Sequence, residues 1–504
     1  MDKAREDKVP FLERSKDFLL NNMVTVMFAV LSVGAYFAAK VTPAYVLNEM
    51  FTRFGRNTCL VLSLVVPVAC GLGLNFGIVV GAMAAQIGVF AVSAVEMTGF
   101  SSMLVCILIT TPIAVLFGYC AGLLFNRMRG SEMIGGMVLR YCADGLYQLL
   151  FLFVFGGLIK IDNNRLMIMG GVGVKNTIDL KGSLGYAIDE LPLLRTLEIA
   201  LAAVLIIQVY NLMTAAKQSR EHKRKQYIVN IALCVGVYGV TWVPYFSTML
   251  TQTRWSLLTA VEGLCFFGIA YLIIGAVYAK IFYSKPFHFL RLGVQGGVLV
   301  ALYLVTYVDS VYRIFLQVKV PVTTYLVVGG FCAINAALFK TQLGQNMRTV
   351  GQGASVAASA GINVDKTRII AVILSTVLAA WGQLISLQNI GTLQTYGAHD
   401  TVGQFSIAAL LVGGASVQRA TNTHALLGVL LFHTLFVLSP PAGAQLFGDP
   451  VIGENFRVFL AYGVIALALA MHAWKVGPKQ QVRRARTESK PPSQTEEGVA
   501  ESAS

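Results

Sequence analysis

The side chains in this 504-residue sequence whose types could do chemistry are neutral polar groups set within apolar runs. Asn75, Gln86, Gln295, Asn335, Gln383 and Gln404 all occupy such runs. An amide offers both donors and acceptors, so it can bond a neutral hydroxylated or heterocyclic solute without moving a proton. It can equally bond a neighbouring helix within the membrane. His433, also inside an apolar run, reads first as a packed, hydrogen-bonded histidine and second as a transport ligand or proton carrier. A charge at the bilayer centre costs about 3 kcal/mol or more, so an ion-coupled carrier keeps one only where it is needed. Glu96, Glu198, Glu262 and Asp309 fall near predicted helix ends instead.

Other chemistry is missing. No G-x-x-x-x-G-K-[ST] segment is present, so the chain has no phosphate-cradling loop of its own. The six histidines lack metal spacing, and the eight cysteines show no paired short spacing and read as small buried hydrophobes. No nucleophile has a paired base, which leaves no catalytic residue, no metal site and no enzyme reading.

These residues must be positioned by membrane helices. Hydrophobic residues make up 56% of the chain and charged residues 13%, the composition of a polytopic membrane protein. The net charge of +14 concentrates in short loops and the tail, as the positive-inside rule requires, so no nucleic-acid partner is implied. The fold class is all-α, with about fourteen transmembrane or re-entrant helices. Residues 1–21 form a cytoplasmic segment before a retained first helix, 22–474 the transmembrane domain, and 475–504 a disordered cytoplasmic tail. Both termini are then cytoplasmic, the basic loops at 218–226 and 280–291 face inward, and the loop 160–195 faces outward. Arg140 and Asp144, four apart on one helix face, are expected to pair with each other.

Two stretches break the helical pattern. Short apolar runs from Thr58 to Leu74 and from Ile78 to Ser93 meet at a Gly-rich segment around Asn75 and Gly77. A second pair meets near QRATNTH, beyond Gly413 and Gly414. Each is a candidate broken or re-entrant helix lining a cavity, or a close packing site of small residues. Between residues 340 and 366 lies a polar, small-sided stretch leading into a long apolar run. Its alanines give a smooth helix that could rest in a groove on another protein. Gly361 suits the left-handed position closing that helix, and Asn363 or Asp365 can cap the next one.

The segment MRTVGQGASVAASAGINVDKTR resembles the cytoplasmic loop of permease subunits of bacterial ABC importers for simple sugars, purine nucleosides and, more distantly, branched-chain amino acids. The matching positions are Arg348, Val350, Gly351, Ala357, Ala360, Gly361, Ile362 and Asn363; Gln352, Gly353, Ala354 and Ser355 depart from the acid-Asn-Pro-acid usual there. GSEMIGGMVLRYCADGL, through Glu132, Ile134, Met137, Leu139, Tyr141 and Ala143, is similar to the nucleoside and simple-sugar permeases in particular. Gly403, Ala408, Gly413 and Gly414 match a Gly-rich motif near the family's carboxyl end. About four helices between 197 and 320 are additional to the family pattern.

The resemblance implies a coupling helix that docks on a cytoplasmic ABC ATPase through Arg348, Val350, Gly351, Ala357, Ala360 and Gly361. It also implies ATP and Mg on that partner alone, a second permease, identical or homologous, and an extracytoplasmic substrate-binding lipoprotein or periplasmic protein. Alternating access in a bacterial cytoplasmic membrane would place Asn75, Gly77, Gln86, Gln404, Gly413 and Gly414 along or beside the path of a small neutral polar solute. The rival class is an ion-coupled secondary transporter working without an ATPase.

Overall fold

In lipid, apolar runs satisfy their backbone groups only as helices or closed barrels, and this chain is built from helices almost throughout. The computed structural model describes residues 22–467 and 470, except 156, 160, 162, 169–172, 218–220 and 284–288. The segment 1–21 and the tail 475–504 lie outside the described residues, as do parts of the two basic loops expected to face inward.

Helix α1 (Met23–Ala39) ends where Lys40 turns left-handed, and Thr42 caps α2 (Pro43–Ser63), accepting from the Tyr45 N–H. The run expected to start at Thr58 therefore starts at Pro43, because Glu49, Arg53 and Arg56 lie inside the helix. A break at Leu64 gives the short α3 (Val65–Ala69) and then the irregular residues 70–77. The chain continues through α4 (Ile78–Ala94), α5 (Gly99–Arg127) and α6 (Glu132–Leu149), which closes in a π-turn over Leu150–Val154. A loop carrying β1 (Thr177–Asp179) follows.

The next elements form a peripheral group: α7 (Leu193–Lys217), α8 (Glu221–Val240), α9 (Pro244–Thr251), β2 (Trp255–Ser256), α10 (Leu257–Tyr283), α11 (Phe289–Val305), α12 (Asp309–Gln317) and β3 (Lys319–Val320). Bends of 84° between α8 and α9 and 87° between α11 and α12 leave four spans when each bent pair is taken as one. The antiparallel β2 and β3 pair, Trp255 opposite Val320, clasps this group.

The remaining elements are α13 (Val322–Leu338), α14 (Gln342–Gln352), α15 (Ala354–Ser359), α16 (Val364–Ile390), β4 (Thr392–Gln394), α17 (Ala398–Val412), α18 (Asn422–Phe447) and a last span, α19 (Pro450–Leu467). β4 pairs with β1, Thr177 opposite Gln394, over the carboxyl end of α16. The long helix α16 is the centre of the fold. Its 27 residues reach about 40 Å, enough to cross a bilayer, and α2, α4 and α5 pack around it. Contact is close because the facing residues are small: a Cβ on Gly81 would sit 2.5 Å from the Thr376 carbonyl oxygen, and one on Gly118 2.8 Å from the Ile373 Cα. Between apolar helices in lipid, such close packing replaces the hydrophobic effect as the main source of attraction.

The protein is an all-α, multi-pass membrane protein. Among the described residues, seven helices are long and apolar enough to cross a membrane, three bent pairs qualify together, and the shorter α1 and α4 are apolar as well.

Candidate functional site

A cavity of about 280 Å³ opens between α2, α16, α17 and α18, at the carboxyl end of α16. Four elements supply its polar groups: Arg53, Arg56 and Asn57 from α2, Gln383 and Ser386 from α16, Thr401 and Ser406 from α17, and His433 from α18. Phe405 and Phe436 form an edge-to-face pair in its wall, 5.0 Å between ring centres. Arg56 lies 13 residues into α2, about 20 Å along the helix from Pro43, and shares the cavity with Ser386, Leu387 and Ile390 in the last turn of α16. Arg53 donates to Glu49 one turn earlier, at 3.2 Å. Gln383 is 1% exposed and its Oε1 has no partner; His433 is 7% exposed and its Nδ1 has none either. Buried polar atoms are paired in folded proteins, so two orphans on residues that line one cavity mark the site as a candidate for binding a polar ligand.

Sequence reasoning singled out Gln383 and His433 but missed Arg53, Arg56, Asn57 and Ser406. The detectable signal was the pair of arginines three apart inside a stretch that continues into an apolar run, since charges at membrane depth are kept for function. None of the pathway candidates Asn75, Gly77, Gln86, Gln404, Gly413 and Gly414 lines this cavity. Asn75 accepts the Gly77 N–H at 2.9 Å, closing the turn after Gly71 and Gly73, both left-handed. Gly413 and Gly414 end α17, where the Val412 carbonyl accepts from Thr25 at 2.7 Å. The two breaks meet: a Cβ on Gly73 would lie 3.3 Å from Val417 Cγ1.

Gln86 and Gln404 belong to a second polar cluster, between α6 and α17. Arg140 and Asp144 do not pair with each other. Arg140 binds Asp400, while Asp144 accepts from His399 Nε2 at 2.7 Å and from Gln148 at 3.1 Å. The reason is geometric: α17 offers an acid and a histidine in succession at the level of the two α6 charges, and these cross-helix partners displace the intrahelical one. Gln86 Oε1 lies 3.0 Å from His399 Nδ1, and the His399 ring packs 4.7 Å from Tyr147. With its amide turned to the orientation that satisfies both neighbours, Gln404 bridges Tyr462 and Arg140, its oxygen accepting from Arg140 Nη2 at 2.7 Å.

The polar stretch folds as two short helices at the other end of α16. Thr341 caps α14 and Asn363 caps α16, accepting the Lys366 N–H at 2.9 Å; Gly361 is left-handed. Met347, Val350 and Ala357 are buried and Gly351 is half-buried, whereas Arg348, Ala360 and Gly361 are exposed. Gly351 lies directly on the end of α3: its Cβ would sit 2.2 Å from the Ala69 carbonyl oxygen. The surface left open is Ala354, Ser355, Val356, Ala358, Ser359 and Ala360, with Val356 65% exposed. Ion pairs fix the base of this region. Arg368 binds Glu132, both nearly buried, and Arg129 binds Asp365.

This geometry joins a polar cavity, a broken-helix layer and an exposed small-residue helix through one central helix. Residues 331–469 match the family described as Branched-chain amino acid transport system / permease component. The chain is also 32% identical, over 157 residues, to the Nucleoside ABC transporter permease protein NupC of Lactococcus lactis subsp. cremoris, a match covering 30% of this chain and 48% of that protein. The chain thus spans about half the length of the curated relative it matches. No solved structure matches it.

Proposed function

We propose that this chain, whose residues 331–469 match the family described as Branched-chain amino acid transport system / permease component, is the membrane-spanning subunit of an ATP-driven importer of the simple-sugar and nucleoside type. The observation that carries the reading is the join between α15, α14 and α3, which ties an exposed docking helix to the broken-helix layer at Gly71 and Gly351. A cytoplasmic ATPase seated on Ala354, Ser355, Val356 and Ala358 would move α14, and Gly351 would press on the end of α3. The breaks at 70–77 and 413–421 would shift together, and the cavity between α2 and α16 to α18 would open to alternate sides. The transmembrane domain would run from 22 to 474, with 340–366 as its coupling loop and 197–320 as additional helices. ATP and Mg would bind the ATPase, a second permease would complete the pathway, and an extracytoplasmic binding protein would deliver a small polar solute of the nucleoside or simple-sugar class.

Uptake by cells expressing the whole system tests this reading, with purine nucleosides supplied first. Uptake that survives collapse of ion gradients by an ionophore and stops on ATP depletion is expected; uptake abolished by the ionophore while ATP is intact contradicts it.

One observation favours the rival. The His399–Asp144 pair sits between helices where proton carriers hold such groups, and in that reading an ion gradient would drive transport without an ATPase. The same uptake comparison separates the two.

A further inference from the structure

The cavity between α2, α16, α17 and α18 is not charge-balanced. Arg53 is paired with Glu49, and Arg457, stacked 4.0 Å over Phe436, is paired with Glu454. Asp189 is fully buried, engaged by Gln388, Thr324 and Asn389, and paired at 3.9 Å with Arg254. Arg56 makes no hydrogen bond or ion pair among the described residues, and it lines the cavity. Arg56 is therefore left without a direct partner, with Glu49 and Asp189 acting on it only at longer range, beside two buried side chains, Gln383 and His433, whose Oε1 and Nδ1 atoms have no partners.

We propose that Arg56 is the specificity-determining contact of this cavity and that it recognises a planar face of two adjacent hydrogen-bond acceptors on the solute. This deepens the importer reading and rests on its assignment of the cavity to the transport path. A guanidinium is a rigid planar fork, and its complement is two acceptors side by side: a carboxylate, or the O6/N7 edge of a 6-oxopurine. Gln383 Oε1 then accepts from a donor elsewhere on the ligand, such as a ring N–H or hydroxyl group, and His433 Nδ1 donates or accepts according to its tautomer. Phe405 and Phe436 supply an apolar wall against which a flat ring packs. The volume, about 280 Å³, suits a nucleoside or a monosaccharide acid more than a larger ligand. Adenine presents an amino donor where the 6-oxopurine has an acceptor, and Arg56 has nothing with which to accept it.

Binding to the purified full-length chain in lipid nanodiscs tests the proposal by equilibrium dialysis of radiolabelled guanosine, adenosine and glucuronate. At least one of guanosine and glucuronate is expected to bind tenfold or more tightly than adenosine, and which of them does so identifies the source of the two acceptors. Arg56→Gln is expected to lower that affinity at least tenfold, and Arg56→Lys to fall between, since the ammonium keeps the charge but loses the fork. Gln383→Leu, which leaves Arg56 in place, is expected to weaken binding without erasing the preference against adenosine, and it guards against misreading a folding defect. Equal binding of guanosine and adenosine with no glucuronate binding, unchanged affinity in Arg56→Gln, or no binding of any compound overturns the proposal. The assay contains no ATPase, so a negative result leaves the ionophore comparison above to decide the importer reading on its own.

Discussion

Replacing Gly351 by alanine adds one methyl group at the join between the coupling stretch and the membrane core. That methyl would stand 2.2 Å from the Ala69 carbonyl oxygen and 3.1 Å from the Gly71 amide nitrogen. Reaching ordinary van der Waals contact requires α14 and α3 to separate by about 1 Å or more. The obstruction is backbone, so no rotamer change relieves it, and overpacking of this kind costs about 1–3 kcal/mol. The exposed surface of α15, proposed above to face an ATPase, lies beyond this join and is untouched. Gly351→Ala is therefore expected to retain the ATPase through purification while losing most ATP-driven uptake, because docking no longer moves α3. Ala358→Arg, on the exposed side of α15, is expected to do the reverse at the first step and lose the ATPase from a folded permease. Both quantities come from one preparation: ATPase recovered per permease, and uptake per permease in proteoliposomes. If Gly351→Ala transports like the unmodified chain, or loses the ATPase as Ala358→Arg does, the division between a docking helix and a transmitting glycine is wrong.

Other outcomes follow from particular contacts. Arg368→Ala leaves Glu132 charged in a nearly buried site, and thermal unfolding in detergent is expected to show a loss of about 3–5 kcal/mol; Arg368→Met with Glu132→Leu should recover much of it. Asp189→Ala strips the acceptor from Thr324, Gln388 and Asn389, at about 1–3 kcal/mol per orphaned donor. Since Thr324 begins α13 and Gln388 ends α16, the expected readout is faster hydrogen exchange where these helices meet, and unchanged exchange there would count against the assignment. Thr401→Cys, at the cavity mouth, is expected to react with an impermeant maleimide from outside intact cells, and Ala358→Cys only after lysis. The opposite pattern would invert the topology.

Much of the architecture was legible because lipid imposes simple rules. The run at 364–390 is long, apolar and capped by Asn363, and it folds as a single helix ending at left-handed Gly391, whereas the run beyond QRATNTH, expected to be short, continues through Pro440 and Pro441 as one helix to Phe447. Gly361 and Asn363 closed and opened the helices that their conformational preferences assign them. What resisted reading was tertiary. α2 was truncated in the sequence because three charged residues, Glu49, Arg53 and Arg56, interrupt its hydropathy, and the two arginines among them line the cavity. Arg140 and Asp144 satisfy a local pairing rule, yet Asp400 and His399, more than 250 residues away, outcompete it. Asp189 is fully buried, but its sequence, YAIDELP, reads as a solvated loop, because its partners Thr324, Gln388, Asn389 and Arg254 come from distant parts of the chain. The amides also divided only in three dimensions: Asn335 bonds the Leu62 carbonyl and Gln86 faces His399, whereas Gln383 faces the cavity with no bond at its oxygen.

The central claim is that α15 presents this permease to an ATPase. Its most direct test is co-purification from the native membrane, comparing the unmodified chain with Val356→Arg plus Ala358→Arg, two exposed positions whose substitution leaves the buried Val350, Gly351 and Ala357 contacts intact. An ATPase that accompanies the unmodified chain and is lost from a monodisperse double variant is the predicted result. An ATPase retained by the variant, or none recovered with either, would contradict the account.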